Sequence, residues 1–384
     1  MAAARALAPA VSAAADAVER DRQLPPELVA AIAAAGLFRL LVPASLGGAE
    51  IDLLSFSRVV EVVAQADASV AWCVAQAAGL GSYAAYLDEV VASAVFGSDP
   101  GIILANGPGA DGRPGRACET PGGYRVTGRW AFASGCRHAS WLLAVCQLHD
   151  EGGRPRVGTD GRPLLRTMLV PAGAARIDDT WHVSGLRGTG SHEFALSDEL
   201  VPAERAIAYT ADGRRQPGPL YQFPLSGMFG PGFASVAIGV ARATLSSFAE
   251  LVCDKTPYAT SRRLRDSPVV QSSLARAEAR LRGATALLHK TLSDVWDEVV
   301  ATGELTLRRR ADVRLASTHA IHEAADVVDV LYEAAGSTAI VVGRPFERRF
   351  RDVHAVTQQV QGRAAHFEAV GRVLLGLDPD SPYV

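Results

Sequence analysis

Residues 128 to 141 read Gly128-Arg129-Trp130-Ala131-Phe132-Ala133-Ser134-Gly135-Cys136-Arg137-His138-Ala139-Ser140-Trp141. The run predicts a β-strand that ends in an aromatic, a hydroxyl and a glycine, followed by a turn of small residues. Phe132 and Ser134 lie two apart, so on an extended chain they project from one face. An aromatic ring beside a hydroxyl suits a flat heterocycle with a polar edge, such as a flavin. The same spacing also describes a plain strand running into a turn, and only the surroundings decide between the two.

Working outward, short β-rich runs continue at 124–132, 141–147, 165–170 and 194–196, separated by Gly, Pro, Asp and Arg clusters. Short strands with frequent turn signals predict a small sandwich or barrel over 101–211. The stretch 150–163 is nearly all turn-forming and charged, which predicts an exposed hairpin loop. Residues 1–100 are instead rich in Ala, Leu and Val at helical spacing, broken at Pro25-Pro26 and again from Pro43 to Gly47-Gly48. They predict an N-terminal helical domain. After a linker at 212–219, long helices return through 384. Leu274, Ala277, Leu281, Ala284, Leu288, Leu292, Val295 and Val299 recur at threes and fours, the seam of a long bundle helix, and further helices are expected over 233–253 and 307–335. The fold class is therefore mixed α and β, mostly α: helical domain, β domain, C-terminal helical bundle.

Bulk properties narrow the partners. The 384 residues exceed the usual size of a single core, and carry 38 Lys plus Arg against 41 Asp plus Glu. That near balance gives no electrostatic footprint for nucleic acid or an anionic membrane surface. The five cysteines (Cys73, Cys118, Cys136, Cys146 and Cys253) are scattered and contain no Cys-x-x-Cys pair. They argue against a disulfide framework or a zinc site and fit a reducing cytoplasm. No apolar run at the amino terminus is long enough for a secretory core, and no internal repeat or membrane span is expected.

The order helix, β, bundle, taken with the local motifs, resembles the acyl-CoA dehydrogenase superfamily over nearly the whole chain. Val42-Pro43 with Gly47-Gly48 is similar to its amino-terminal turn. Gly128 to Gly135 resembles its flavin strand, with Phe132 and Ser134 at the positions of a stacking tryptophan and a hydrogen-bonding threonine. Gly185-Leu186-Arg187-Gly188-Thr189-Gly190-Ser191-His192, followed by Val201-Pro202-Ala203-Glu204-Arg205, resembles the segment that closes the β domain.

A fourth stretch bears on the chemistry. In the dehydrogenases an Arg-Asp segment is followed by a glutamate base that takes the proton α to a thioester. Here the pair is Arg351-Asp352, and the glutamate position falls near Val360, between Gln359 and Gln361. None of these is a base. The segment from Arg351 to Gln359 is closer to the flavin-dependent monooxygenase branch, which takes reduced flavin from a separate reductase and uses dioxygen. The tail from Thr357 through Gly362 is similar to the indole-acetate monooxygenase type. Many members of that branch carry histidine where Gln359 stands, and another near Gly81 or Ser82; this chain has neither. Glutamine can donate a hydrogen bond but cannot abstract a proton near neutral pH, so an intrinsically electron-rich substrate fits best.

The resemblance implies a homotetramer in which FAD or FMN is bound by Asn106, Phe132, Ser134, Thr189, Ser191, Arg263, Gly336 and Ser337, with Ser134 and Gln359 as the catalytic candidates. Ser134 could donate to the flavin. Thr189 and Ser191 occupy a glycine-rich turn whose backbone N–H groups could hold a phosphate; an ordinary glycine turn is the alternative. Arg263, beside Arg262 and Arg265, would serve the flavin phosphates of a neighbouring subunit, or form a solvated charge run. At about 100° per residue, Val353, Val356, Val360, Ala364 and Phe367 form one helical stripe with His354 and Gln359 on its flanks, and His354 is expected beside Asp352.

The expectation is an enzyme: a two-component monooxygenase acting with reduced flavin, O2 and a reductase on a hydrophobic aromatic or heteroaromatic substrate, with no metal ligand set. Two alternatives stay open. One is acyl thioester dehydrogenation with a base from elsewhere, such as Glu333 or Asp88. The other is a flavin-free protein that retains the fold.

Overall fold

The computed structural model describes every residue except Ser98, Pro100 and Ala259. Five helices come first: α1 (Ala2–Asp21), α2 (Pro26–Ala34), α3 (Leu53–Ala66), α4 (Ala68–Gly81) and α5 (Glu89–Ala92). Pro26 starts α2 where its missing N–H costs nothing. Asp52 and Asp67 cap α3 and α4 by accepting from the Ser55 and Val70 amides, which satisfies donors that a helix start leaves orphaned. Every residue of α4 is buried, so it is a core helix rather than an amphipathic surface one.

The β region contains β1 (Leu104–Asn106), β2 (Gly115–Thr120), β3 (Gly123–Ala133), β4 (Trp141–His149), β5 (Leu165–Pro171), β6 (Arg176–Asp178), β7 (His192–Pro202) and β8 (Ala206–Ile207). They form one sheet in the order β6-β7-β3-β2-β4-β5-β8, with β1 added on β4. The β1–β4 and β2–β4 pairs are parallel and the others antiparallel. Trp130 is fully buried, stacks on Phe194 at 5.0 Å and donates to the Val145 carbonyl.

The end of β3 departs from the alternation expected of it. Trp130 pairs with Phe194 and Ala133 with His192, so a bulge intervenes, and Phe132 takes a φ of +57°. One extra residue reverses which side chains face the core: Ala133 turns inward and Phe132 outward. Phe132 and Ser134 therefore do not share a face of an extended strand. Ser134 instead lies in a tight turn, its amide donating to the Phe132 carbonyl at 2.9 Å.

The C-terminal helices are α6 (Leu225–Asp254), α7 (Pro268–Thr302), α8 (Leu307–Ala335), α9 (Pro345–Gln358) and α10 (Ala365–Leu374). Seven of the eight seam positions of α7 are buried and Leu274 is half-buried. By length and composition alone α6 could cross a bilayer. Its apolarity has another cause: it packs against α3, α4, α8 and α9 and is buried over most of its length. The continuous stripe expected from Val353 to Phe367 does not form. α9 stops at Gln358, a short turn follows over Val360–Gly362, and Ala364 and Phe367 are exposed.

Candidate functional site

One face of α4 organises the site. Trp72 and Gln76 are four residues apart and so project together. Trp72 Nε1 donates to Ser134 Oγ at 3.0 Å, and Gln76 Nε2 donates to Asn106 Oδ1 at 2.7 Å. The ends of β3 and β1 are thus tied to successive turns of one buried helix. The Trp72 ring stacks on Phe233 of α6 (3.8 Å, 7°), and Phe233 is parallel to Phe229 (5.6 Å, 4°). Neither Trp72 nor Gln76 was singled out from the sequence. A tryptophan and a glutamine at i and i+4 in an otherwise apolar helix are the signal that could have found them.

Beyond Ser134 a file of hydroxyls runs inward. Ser134 Oγ lies 2.7 Å from Ser191 Oγ, which lies 2.7 Å from Thr189 Oγ1, and that hydroxyl donates to the Leu186 carbonyl at 2.8 Å. All three hydroxyl residues are buried. Three amides of the glycine-rich turn are already committed within the protein. Its Leu186, Thr189 and Gly190 amides already donate to Asp352 Oδ1, Leu186 O and Arg187 O. Its glycines answer to packing: a Cβ at Gly185 would lie 2.1 Å from the Arg351 carbonyl, and one at Gly188 2.0 Å from Val18 Cγ1.

Phe132 is 64% exposed, with its ring edge-on to Trp181 at 6.0 Å. A bulky residue in the left-handed region costs about 1–3 kcal/mol, and here it presents an apolar ring to solvent beside a polar turn. An exposed aromatic next to a mostly buried hydroxyl fits a flat heterocycle with a hydrogen-bonding edge. The residues present therefore accommodate a flavin. His138 and His192 lie close by, and burial pushes both down to about 4, so they are neutral at physiological pH.

α9 approaches from the other side. Arg351 binds the Ser184 carbonyl and pairs with Glu19 at 2.9 Å and Glu347 at 2.8 Å, while Asp352 accepts from the Leu186 amide at 2.6 Å. Burial and the nearby Asp67 carboxylate push Asp352 up to about 7, and burial pushes Asp67 up to about 6. Both border a polar cavity of about 240 Å3 that Asp16, Arg344, Arg348 and Arg349 also line. His354 pairs with Asp329 at 3.2 Å, not with Asp352 as expected. Gln359 lies roughly 10 Å beyond Asp352 at the helical rise. Its Oε1 accepts from the Gln361 amide at 2.6 Å, capping the next turn.

Arg263, Gly336 and Ser337 form a separate group. Arg263 donates to the Cys253 carbonyl, and Lys255 joins the ends of α6 and α8 by donating to Ala335 O and Thr338 Oγ1. Gly336 has φ +60° and ψ −145° there, a conformation reserved for glycine. Phe233, on the Trp72 stack, and Asp254, beside Lys255, are roughly 30 Å apart along α6. The two groups of one chain are thus brought to opposite ends of the bundle. Glu333 is exposed at the end remote from Ser134, and Asp88 is exposed in an ion pair with Arg215.

Comparison with known proteins agrees with this geometry. Residues 1–88 match the N-terminal domain of acyl-CoA dehydrogenase, and residues 231–362 match a C-terminal domain model of acyl-CoA dehydrogenase. The chain is 32% identical to indole-3-acetate monooxygenase of Acinetobacter baumannii, covering 91% of this chain and 87% of that protein. It is 30% identical to the oxygenase subunit HsaA, a flavin-dependent monooxygenase of Rhodococcus jostii, over 99% and 94% of the two chains. XiaF from Streptomyces, solved with FADH2 and glycerol, superposes with a TM-score of 0.91 at 28% identity, covering 100% of this chain and 96% of XiaF.

Proposed function

This chain belongs to the flavin-dependent monooxygenases of the acyl-CoA dehydrogenase superfamily, and from that premise we propose that it oxygenates a hydrophobic, electron-rich aromatic or heteroaromatic substrate of the indole type. The observation that carries the substrate class is the ring ladder Trp72–Phe233–Phe229 beside the Ser134 hydroxyl. Trp72 and Phe233 are buried and fix the ladder, while its outer ring, Phe229, is only partly buried and would take a planar apolar ligand by offset stacking. The glutamine at 359 cannot activate a substrate by deprotonation, which suits a ring that needs no activation.

The flavin, FAD or FMN, would arrive reduced from a reductase and would supply the two electrons that activate dioxygen, the separate co-substrate. Phe132 carries its flat face, Ser134 meets its polar edge, and Asn106, held by Gln76, borders the same α4 wall. Thr189 and Ser191 act behind Ser134. Gln359 limits the reacting face at the end of α9. Apolar walls would exclude water and so limit the wasteful release of hydrogen peroxide.

Arg263, Gly336 and Ser337 serve the flavin of a neighbouring subunit in a homotetramer. Their distance from Ser134 within one chain supports this, as does the exposed run Ile340, Val341 and Val342 beside them. Contiguous exposed apolar residues mark an interaction surface. The cytoplasm is the compartment we propose, supported by five free cysteines. The test supplies purified protein with enzymatically reduced flavin, O2 and a panel of indoles and phenols. Oxygenated product from an indole is expected; no oxygenated product from any ring in the panel refutes the substrate class.

A further inference from the structure

The hydroxyl file behind the proposed flavin shelf is polarised in one direction only. Its inner end is the Leu186 carbonyl, which carries no proton and also takes the Trp181 indole N–H at 3.1 Å and the Thr189 amide at 3.2 Å; the Thr189 hydroxyl, closer still at 2.8 Å, must point its proton at that oxygen. The Thr189 proton is then spent, and at 2.7 Å the Ser191 hydroxyl must donate to Thr189. By the same count Ser134 must donate to Ser191 at 2.7 Å. The outer end closes consistently: the Trp72 indole N–H can only donate, and it donates to Ser134 Oγ at 3.0 Å. A fixed donor at one end and a fixed acceptor at the other leave no second arrangement for the protons between them.

Ser134 therefore has its one proton committed inward and one lone pair committed to Trp72. What remains is a single lone pair. From this we infer that Ser134 meets the flavin as a hydrogen-bond acceptor, so that the file selects the reduced cofactor over the oxidised one. This rests on the placement of Ser134 against the flavin edge proposed above, and reverses the donor role expected from the sequence. The chemistry of isoalloxazine supplies the discrimination: its central ring nitrogen N5 carries a hydrogen when reduced and only a lone pair when oxidised. Against a reduced ring, the free lone pair of Ser134 gains a hydrogen bond. Against an oxidised ring, two lone pairs oppose each other unless the whole file breaks. Thr189 and Ser191 are positioning residues in this scheme, since they touch no ligand and act by holding the Ser134 proton.

The experiment measures dissociation constants of FAD and FMN, oxidised and anaerobically reduced, for the wild type and for Ser134→Ala, Ser191→Ala and Thr189→Val. In the wild type the reduced form binds tighter. Ser191→Ala and Thr189→Val each free the Ser134 proton, so oxidised flavin should bind about 3- to 10-fold tighter, one net hydrogen bond, and the ratio of the two constants should fall. A tenfold change in that ratio moves the two-electron potential of the bound flavin by about 30 mV, an independent readout needing no turnover. Ser134→Ala should weaken reduced flavin and spare the oxidised form. If Ser134→Ala weakens binding while both inner variants leave the ratio and potential unchanged, the polarity inference is overturned and the shelf survives. If Ser134→Ala alters neither redox form, the shelf itself is wrong. Two inner variants are used so that one misfolded protein, identified by its melting curve, does not decide the outcome.

Discussion

The indole nitrogen of Trp72 donates to the hydroxyl of Ser134 at 3.0 Å across the boundary between helix α4 and the end of strand β3. That bond joins the helical domain to the sheet at the point where the sheet ends in a bulge. Trp72→Phe keeps a ring against Phe233 but removes the donor together with part of the buried indole. It should cost about 2–3 kcal/mol, one hydrogen bond plus a partial cavity, whereas Trp72→Ala should cost about 3–5 kcal/mol. Urea unfolding of the two variants separates these terms. A double-mutant cycle with Ser134→Ala should return a coupling energy of about 1 kcal/mol for the pair.

Phe132 is predicted to matter for ligand and not for stability. It is 64% exposed and already in a strained backbone region. Phe132→Ala should shift the unfolding free energy by less than about 0.5 kcal/mol, as expected for a surface position. Flavin affinity should fall about tenfold, the loss of one stacked aromatic contact. Melting curves and flavin titration check both halves; a large stability loss with unchanged binding would make Phe132 a packing residue.

The buried pair Asp352 and Asp67 makes stability depend on pH in a defined direction. Burial raises both carboxyls above their ordinary value, to about 7 and about 6. At these two sites the folded state therefore holds protons that the unfolded state has released, and their contribution to stability is present at about pH 4 and below and is lost as pH rises through 7. Glu19 and the guanidinium of Arg351 also act on Asp352, Glu19 raising it and Arg351 lowering it. Asp352→Asn keeps the acceptor for the Leu186 amide and removes the charge. It should be more stable than wild type by about 2–4 kcal/mol at pH 8, with the difference vanishing near pH 4. His138 and His192, held down to about 4, gain stability with rising pH over the same range, so thermal melts of both proteins from pH 4 to pH 8 test this through their difference; a difference that does not grow with pH would contradict it.

The long-range organisation was legible in the sequence because periodicity reports burial. The α7 seam and the strands at 124–132, 141–147 and 165–170 follow from spacing alone, and all fall within elements of the structure. What spacing could not supply was anything that depends on one extra residue or on a partner far along the chain. The bulge before Ala133 reversed the facing of Phe132, and no local residue announces a bulge there. The glycines at 185 and 188 read as a ligand turn, yet they are small because α9 and α1 press against them. Trp72 and Gln76 are core residues of α4; their second role exists only where Ser134 and Asn106 arrive from the ends of β3 and β1. The stop at Gln358 was hidden for a related reason, since the apolar pattern continues through a turn capped by the Gln359 side chain.

The remote group at the end of α6 and α8 gives the last prediction. Ser134 and Arg263 stand at opposite ends of the bundle in one chain, so each flavin site would draw Ser134 from one subunit and Arg263 from another. Ser134→Ala and Arg263→Ala alone should each weaken reduced-flavin binding. Co-expressed with different tags and purified as mixed pairs, the two damaged chains should complement. One site of each pair then carries both substitutions, and the other carries none. The undamaged site should bind reduced flavin with wild-type affinity and a stoichiometry of about one per mixed pair, since a symmetric interface repeats the same contacts with the roles of the chains exchanged. If both residues instead served a flavin within their own chain, every site in the mixed pair would carry one substitution. Titration would then find no wild-type population at all. Light scattering on the same sample would read the assembly size, with a tetramer expected.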